Sequence, residues 1–218
     1  MFWFECFIVA YTCFLLFLLL SYTYGLNKRN KAKKTEATIR LKEITVVIPF
    51  RNEKENLTHL LNQIKDLSAP PAKFLFVDDH SCDGGEALFE NNENQAISLL
   101  SMKYKTGKKE AIYAGVSQAK TPYVLCWDAD ITFSEGYFKE LSTLAKHSLL
   151  ILPVSYESKW FFEWFFEVDV ALANYINHAN AGIHRPVICS GANLLFEKES
   201  YLEVISLDSH KHIASGDD

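Results

Sequence analysis

Apolar and polar positions follow two different spacings between residues 44 and 153, and these spacings distinguish predicted strands from predicted helices. Short unbroken apolar runs predict buried strands, and apolar residues three and four positions apart predict amphipathic helices. Strands are predicted at 44–49, 74–77, 97–101, 123–127 and 149–153, and helices at 52–67, 85–91, 108–119 and 134–146. Because strand and helix alternate, we expect an α/β fold, a doubly wound and mostly parallel sheet with helices on both faces.

The amino-terminal segment has a different pattern, because residues 6–27 contain no charge and are strongly apolar. A helix of this length is able to span a bilayer. A cleaved signal peptide is the alternative, but the only charge before the run is the acidic Glu5, and no small-residue cleavage pattern follows. Residues 28–34 carry four lysines and one arginine, which by the positive-inside rule keeps this flank cytoplasmic. We therefore expect a transmembrane helix at 1–27, a basic linker at 28–43 and a cytoplasmic domain at 44–218.

Composition narrows the class of protein. A chain of 218 residues that is 49% hydrophobic and 14% aromatic is able to bury one full core, so one domain with appendages is expected. The formal net charge of -5 argues against a broad nucleic-acid surface. The five cysteines show no metal-ligand spacing, which indicates free thiols in a reducing compartment.

Two carboxylates, Asp128 and Asp130, follow the predicted strand at 123–127 directly. In parallel sheets ligands bind at the carboxyl ends of the strands, so this pair is expected at the edge where chemistry takes place. Two hard oxygen ligands at this spacing suit Mg²⁺ or Mn²⁺ that bridges a phosphate. The alternative is a pair of loop acids that cap a helix beginning near residue 134.

Polar residues also follow the first two predicted strands, at 49–53 and 78–83, and parallel pairing brings these segments to the same edge. Asp78 or Asp79 is placed to accept hydrogen bonds from a base or ribose. The alternative is a turn built from Asp, Ser and Gly, which we favour for Asp83 and Gly84. Lys108, at the start of a predicted helix, is placed to pair with a diphosphate, unless water alone solvates it.

Four motifs resemble, in order and spacing, the family 2 glycosyltransferases of GT-A fold. They are VVIPFRNE at 46–53, VDDHSCDG at 77–84, GKKEA at 107–111 and DAD at 128–130. The resemblance covers roughly residues 44 to 218 and implies a nucleotide-sugar donor and a divalent metal, Mg²⁺ or Mn²⁺. It places around the nucleoside Pro49, Arg51, Glu53, Asp78 and Asp79, and it places at the metal and diphosphate Asp128 and Asp130. Phe50 stands where the family often has tyrosine.

The last part of the chain extends this resemblance to the acceptor. Residues 187–196 resemble the family strand that lines the acceptor side, where Gly191 and Asn193 would allow close approach of the sugar. A Glu-Asp or Asp-Asp pair supplies the general base in this family, which implies Asp218 as first choice and Asp217 as second. The alternative is a solvated acidic tail. We expect the sequence to be a fragment, because family members continue past this pair.

Residues 160–168 are rich in aromatics and poor in charge. This composition suits a helix at the membrane interface, which would favour a lipid-linked acceptor. A helix in the core or at a dimer interface explains the same composition equally well. The sequence leaves both interpretations open.

The function expected from these features is that of a membrane-anchored inverting glycosyltransferase. It would move a sugar from a nucleotide-sugar donor to a hydroxyl of a lipid-linked or cell-envelope glycan at the cytosolic membrane face, with no nucleic-acid partner. Residues 128–132, 187–190 and 217–218 also resemble the motifs of haloacid dehalogenase-like phosphatases, in which Asp128 would be the nucleophile and Asp130 an acid. That alternative gives the first two strand-end clusters no role. A third possibility is a membrane protein that binds nucleotide sugars without turnover.

Overall fold

The computed structural model describes residues 2–30, 37–90, 92–158, 160–183, 185, 187 and 190–207. Contacts divide the chain into two compact units. Unit 1 comprises Met1–Lys34 and Pro153–Cys189, and unit 2 comprises Thr35–Leu152 and Ser190–Asp218. The segment 153–189 therefore belongs with the amino-terminal helix.

Six strands and six helices are described in these ranges. The strands are β1 (Ile44–Phe50), β2 (Lys73–Asp78), β3 (Ile97–Ser101), β4 (Tyr123–Trp127), β5 (Leu149–Ile151) and β6 (Asn193–Glu197). The helices are α1 (Phe2–Asn30), α2 (Lys54–Lys65), α3 (Lys108–Gln118), α4 (Tyr137–Leu141), α5 (Trp164–Gly182) and α6 (Lys198–Leu207). Short 3-10 turns occupy Leu41–Glu43, Gly85–Phe89 and Phe161–Glu163.

The strands of unit 2 form one six-stranded sheet in the order β3-β2-β1-β4-β6-β5. The strands β1 to β4 run parallel, and β6 runs antiparallel to both β4 and β5. Every residue of β1 and β4 is buried, as an apolar run covered on both faces requires. The predicted α/β fold with a mostly parallel sheet is confirmed, and the antiparallel β6 makes the sheet a mixed one.

Alternate side chains of β1 fill two separate cores, because successive residues of a strand point to opposite faces. Val46 and Ile48 belong to the cluster that includes the apolar face of α2. Val47 belongs to the cluster that includes the buried residues of α3. Helix α3 lies close to the sheet at Gly115, where an added Cβ would stand 2.5 Å from a methyl carbon of Val47. Helices thus cover both faces and fix the position of the α3 amino terminus at the sheet edge.

Two predicted helices are shorter than the sequence pattern suggested. The segment 85–91 forms the 3-10 turn Gly85–Phe89, which follows Gly84 in a left-handed conformation with φ of 76°. The predicted helix at 134–146 is reduced to α4. Just beyond its end, the hydroxyl of Ser142 donates to the carbonyl of Lys139 and that of Thr143 to the carbonyl of Glu140, each at 2.7 Å. Such side-chain bonds compete with the helical pattern.

In unit 1, α1 contains an apolar stretch, Cys6–Asn27, that is exposed over most of its length. Among the described helices it is the one long and apolar enough to cross a membrane, by length and composition. Helix α5 packs against α1 within the same unit.

Candidate functional site

A cleft of about 360 Å³ opens in unit 2 where β1, β2 and β4 end. Its volume lies in the range typical of small-molecule sites. The lining residues come from three chain segments and from the start of α3: Pro49, Phe50, Arg51, Glu53, Asp79, Lys108, Asp128, Ala129 and Asp130. Seven of the residues singled out from the sequence are therefore brought together at the carboxyl edge of the parallel strands, as the topology requires.

Hydrogen bonds join the loop after β1 to the loop after β2. The Asn52 N–H donates to Ser81 Oγ at 2.9 Å, and the Cys82 N–H donates to Asn52 Oδ1 at 2.8 Å. Asn52 takes a positive φ of 57°, a conformation that asparagine tolerates better than most residues. These bonds fix the backbone between Arg51 and Glu53, so that both side chains line the cleft.

Asp83 supports the same junction from outside the cleft. Its two carboxylate oxygens accept from the backbone N–H of Lys54, at 2.8 Å, and of Gly85, at 2.9 Å. These bonds lower the pKa of the Asp83 carboxyl, although slight burial opposes them. Because the Lys54 N–H belongs to the first turn of α2, Asp83 acts as a cap supplied by a neighbouring loop. Its predicted role as a turn residue agrees with this geometry.

Asp79 is the buried carboxylate of the cleft. Its Oδ2 accepts from the Gly107 N–H at 2.8 Å and lies 4.0 Å from Arg51 Nη1, and its Oδ1 lies 3.2 Å from His80 Nδ1. Burial alone would raise the pKa of this carboxyl, but the hydrogen bonds from Gly107, His80 and Thr106 and the charge of Arg51 lower it. Asp79 is therefore held as an anion that ties the start of α3 to the end of β2.

Asp78 lies beneath the loop and does not line the cleft. Its Oδ1 accepts from the Ser81 N–H at 3.0 Å, which closes the turn that follows β2. A hydrogen bond with Asp78 raises the pKa of Glu86, whose Oε1 also accepts from the Ser101 hydroxyl at 3.1 Å. The proposed contact between Asp78 and a nucleoside remains a prediction.

Lys108 and the two acids after β4 form the charged part of the cleft. Lys108 Nζ lies 3.0 Å from Asp128 Oδ1, and both side chains are partly exposed. Gly107, just before α3, has φ of 111°, which a residue with a Cβ rarely adopts. The chain is therefore able to turn sharply into α3 and direct Lys108 toward Asp128. Asp130 lies exposed on the same cleft.

The carboxylates Asp128 and Asp130 fit a hard divalent cation by their chemistry and position. The Oδ1 atom of Asp128 already contacts one cation, the ammonium of Lys108, which shows that a positive charge is able to reach this oxygen. Within the described ranges no group of three or more His, Cys, Asp or Glu side chains is arranged to hold a metal. Two carboxylates with the remaining ligands from phosphate and water are a common arrangement for Mg²⁺ in nucleotide sites.

A thiol lies just behind this site. Cys126, in β4, is buried, and its burial together with the charge of Asp128 raises the pKa of the thiol to about 12, although Lys108 opposes the shift. A thiol with this pKa is almost fully protonated near neutral pH, so Cys126 is not a nucleophile for the cleft. The cysteines of the described part of the chain, Cys6, Cys13, Cys82 and Cys126, are all free, as predicted.

Of the residues predicted on the acceptor side, Gly191 and Asn193 do not line the cleft, and the other two fall outside the described ranges. Asn193 is buried, and its Oδ1 accepts from Trp127 Nε1 at 3.2 Å and from the Tyr137 hydroxyl at 2.6 Å. Burial raises the pKa of Tyr137 to about 12, so this hydroxyl stays protonated and keeps donating. Gly191 is buried in the turn before β6. Asp217 and Asp218 fall outside the described residues.

Two contributors to the site were not singled out from the sequence. The Thr106 hydroxyl accepts from Arg51 Nη1 at 3.4 Å and helps to lower the pKa of Asp79. His80 stands beside Asp79 in a left-handed conformation with φ of 60°. The signal for Thr106 was its place before the glycine that opens α3, but no spacing rule predicts the pairing with Arg51.

Comparisons with known proteins agree with this geometry. The model of the family described as Glycosyl transferase family 2 matches residues 45–203. The chain is 29% identical over 108 residues to the poly-β-1,6-N-acetyl-D-glucosamine synthase of Staphylococcus aureus (strain COL), which covers 49% of this chain and 25% of that protein. The corresponding synthase of Staphylococcus epidermidis is 27% identical over 93 residues, which cover 42% of this chain and 23% of the relative. The aligned part thus spans about a quarter of the length of these curated relatives.

Among solved structures, a mannosyltransferase of Pyrobaculum calidifontis in complex with GDP-Man and Mn²⁺ superposes with a TM-score of 0.63. It is 19% identical and covers 90% of this chain and 56% of its own, a likeness that shows the fold. The sheet with its antiparallel β6 and flanking helices is accordingly GT-A-like. Because the family model matches well over half of the residues, the chain belongs to glycosyl transferase family 2.

Proposed function

We propose that this chain is the donor-binding part of a membrane-anchored, metal-dependent, inverting glycosyltransferase that uses a nucleotide sugar. The observation that carries the proposal is the cleft in which a buried anion, a lysine and two further carboxylates meet at the ends of parallel strands. Family membership supports transfer of a sugar as the reaction class. The intact carboxylates argue against a protein that binds without turnover.

The donor is proposed to lie along the cleft with its nucleoside toward β1 and β2. Pro49, Arg51, Glu53 and Asp79 line that part, and Asp78 lies beneath it. Asp79 is an acceptor for ribose or base groups, and Arg51 offers a planar donor set. At the other end, the Lys108 ammonium is proposed to contact the diphosphate, which carries the charge that increases as the sugar leaves.

Asp128 and Asp130 are proposed to hold Mg²⁺ or Mn²⁺, which when bound would neutralise part of the charge on the leaving nucleoside diphosphate. The Pyrobaculum calidifontis mannosyltransferase in complex with GDP-Man and Mn²⁺ supports such a combination. Lys108, 3.0 Å from Asp128, places a second positive charge beside the proposed metal position.

The proposed general base is Asp218, with Asp217 as the second choice. Its carboxylate would take the proton from the acceptor hydroxyl as that oxygen forms a bond to the anomeric carbon. The bond from this carbon to the diphosphate oxygen breaks on the opposite face, so the configuration inverts. Gly191 and Asn193, close to the end of β4 in the sheet, are proposed to border the acceptor.

The acceptor is proposed to be a lipid-linked or cell-envelope glycan. The similarity to the poly-β-1,6-N-acetyl-D-glucosamine synthases supports a polysaccharide product. The apolar stretch of α1 supports a reaction at a membrane.

Orientation in the membrane is tested by a reporter fused after Lys42. Because residues 28–34 are strongly basic and follow the apolar stretch directly, we expect the reporter to be cytosolic. The measurement is alkaline phosphatase activity against green fluorescence from matched fusions in bacterial cells. Phosphatase activity without fluorescence would place unit 2 on the outer side and contradict a cytosolic donor.

The function itself is tested by donor binding and transfer with the full chain in detergent. With Mn²⁺ present, one nucleotide sugar at about 100 times its dissociation constant is expected to stabilise the protein by about 2.7 kcal/mol, which raises the melting temperature by several degrees. Release of the nucleoside diphosphate should follow when an acceptor glycan is added. Binding without release under all acceptor conditions would favour the non-catalytic alternative, and no stabilisation by any nucleotide sugar would contradict the proposal.

A further inference from the structure

Helix α5 of unit 1 carries a continuous apolar stripe that the described rest of unit 1 leaves exposed. Its members are spaced so that they share one face of the helix, and each is 47% to 66% exposed: Trp164, Phe165, Val168, Leu172 and Tyr175. Aromatic side chains have areas of roughly 150–250 Å², so the exposed part amounts to about 400 Å². This is comparable to the largest apolar patch on a typical soluble monomer, about 300–600 Å², and such patches are often interaction sites.

The same face of α5 continues into its contact with α1. Ala179 and Gly182 lie four and seven residues after Tyr175, which keeps them on the stripe, and both are buried. A Cβ added at Gly25 of α1 would collide with the backbone carbonyl of Ala179, and one added at Gly182 would collide with the carbonyl of Gly25. The two backbones therefore touch directly at the carboxyl-terminal end of α5, and the exposed stripe lies on the amino-terminal side of Ala179.

The position of Gly25 along α1 determines the depth in the bilayer at which α1 and α5 contact each other. The uncharged stretch Cys6–Asn27 has 22 residues and a length of about 33 Å, close to the thickness of a hydrocarbon core. Gly25 lies two residues before its end, and Lys28 follows. If α1 spans the bilayer, the carboxyl-terminal end of α5 is held at the boundary between hydrocarbon and headgroups.

The charges of α5 avoid the stripe. At 100° per residue, Glu167 and Asp169 lie roughly 100° to either side of its centre. Glu167 is also engaged, because its Oε1 accepts from the backbone N–H and the hydroxyl of Ser158. The stripe itself combines aliphatic side chains with Trp and Tyr, the residues that concentrate at membrane interfaces.

We infer that the stripe of α5 lies in the membrane interface, as a second contact with the bilayer beside the transmembrane helix. The inference rests on the membrane anchoring proposed above. The apolar surface of α1 from Cys6 to Leu20 is exposed, and α5 contacts α1 at Gly25, near the end of that surface, so a bilayer that contains α1 reaches the helix that carries the stripe. The exposed surface of α1 already requires lipid, so lipid is the partner that we assign to the stripe as well. Of the two interpretations left open by the sequence, this one selects the interfacial helix.

The test is quenching of tryptophan fluorescence by brominated lipids, with the full chain reconstituted in vesicles. In a Trp3→Phe, Trp160→Phe background, Trp164 and the buried Trp127 remain. Lipid brominated near the headgroup is expected to quench Trp164 at least about two-fold more than lipid brominated near the chain end. Adding Trp164→Phe should remove this quenching, because Trp127 is only 1% exposed.

Two matched variants separate the possible outcomes. Phe166 is exposed on the opposite face of α5 and packs against Tyr156, so Phe166→Trp in the Trp164→Phe background should be quenched much less than Trp164. Phe14→Trp, placed in the middle of α1 in the same background, should be quenched most by the deep label. Equal quenching at 164 and 166, or stronger quenching of Trp164 by the deep label, would overturn the interfacial assignment.

The variant in α1 also distinguishes this inference from the anchoring on which it rests. If Phe14→Trp is quenched and Trp164 is not, then α1 lies in the bilayer while a second copy or another protein segment covers the stripe, and the inference is wrong. If neither is quenched, the anchoring itself fails, and the inference fails with it.

Discussion

Replacing Asp130 with alanine is expected to reduce sugar transfer by at least about 100-fold while the protein stays folded. Asp130 lies exposed on the cleft beside Asp128, so its truncation removes a proposed ligand of the divalent cation without opening the core. Loss of one preorganised source of charge stabilisation commonly lowers kcat by about 10² to 10³. The measurements are the rate of nucleoside diphosphate release and the melting temperature.

Glu135 provides the matched control, because it is an exposed acid five residues further on that does not line the cleft. Glu135→Ala should transfer sugar at nearly the parental rate. Chelation of divalent metal should weaken donor binding in the parent and in Glu135→Ala, but should change little in Asp130→Ala. Equal donor affinity with and without chelator in all three proteins would contradict a metal at Asp130.

The central strands could be predicted because burial on both faces restricts the residues that they contain. β1 and β4 are buried on both faces, so their sequences are almost entirely apolar, and their short lengths and β-branched or aromatic residues favour strands over helices. The direction of β6 could not be predicted, because periodicity does not distinguish parallel from antiparallel pairing. The end of α4 was missed for a local reason, since Ser142 and Thr143 bond to the backbone of the preceding turn.

The site was predictable as far as it depends on topology. Parallel strands bring their carboxyl ends together, so Asp79, Lys108 and Asp130 could be assigned to one edge without coordinates. Contacts between loops were not predictable, because the pairing of Arg51 with Thr106 depends on loop conformation. The phosphatase interpretation is wrong, since the family match is to glycosyltransferases and Asp128 follows the fourth strand along the chain instead of opening the sheet.

The grouping of residues 153–189 with α1 could not be predicted from the sequence, for a different reason. Aromatic residues occur in cores, in protein interfaces and at membrane surfaces, so composition alone does not separate these environments. The two helices are joined closely at a pair of glycines, Gly25 and Gly182, and the importance of each glycine follows from the contact between them. Small residues that allow close approach of two helices are typical of helix pairs in membranes. Neither glycine stands out until both helices are placed.

Asp79→Asn is expected to weaken donor binding by roughly 10-fold to 150-fold, equivalent to the loss of about 1.5–3 kcal/mol from hydrogen bonds to a charged group. The carboxylate accepts from Gly107 N–H while facing Arg51 and His80. An amide satisfies Gly107 only by turning its NH₂ toward one of these donors. In the opposite orientation the start of α3, which carries Lys108, loses its hydrogen bond to residue 79, and in either orientation Arg51 loses its nearby anion. Affinity is measured by calorimetry with the donor identified in the screen.

Asp83→Asn is the control, because Asp83 is another carboxylate of the loop after β2 that accepts backbone N–H bonds, from Lys54 and Gly85, but it lies outside the cleft. It should lower the melting temperature slightly and leave donor affinity within about two-fold of the parent, within the spread of distant sites. The pH dependence gives a second readout. Because the pKa of Asp79 is lowered below its ordinary value of 3.8, its contribution to stability is complete above that pH and is lost as the pH falls through the lower folded-state pKa. Asp79→Asn should lack this acid-side loss, and equal donor affinities in Asp79→Asn and Asp83→Asn would show that the carboxylate only supports the loop.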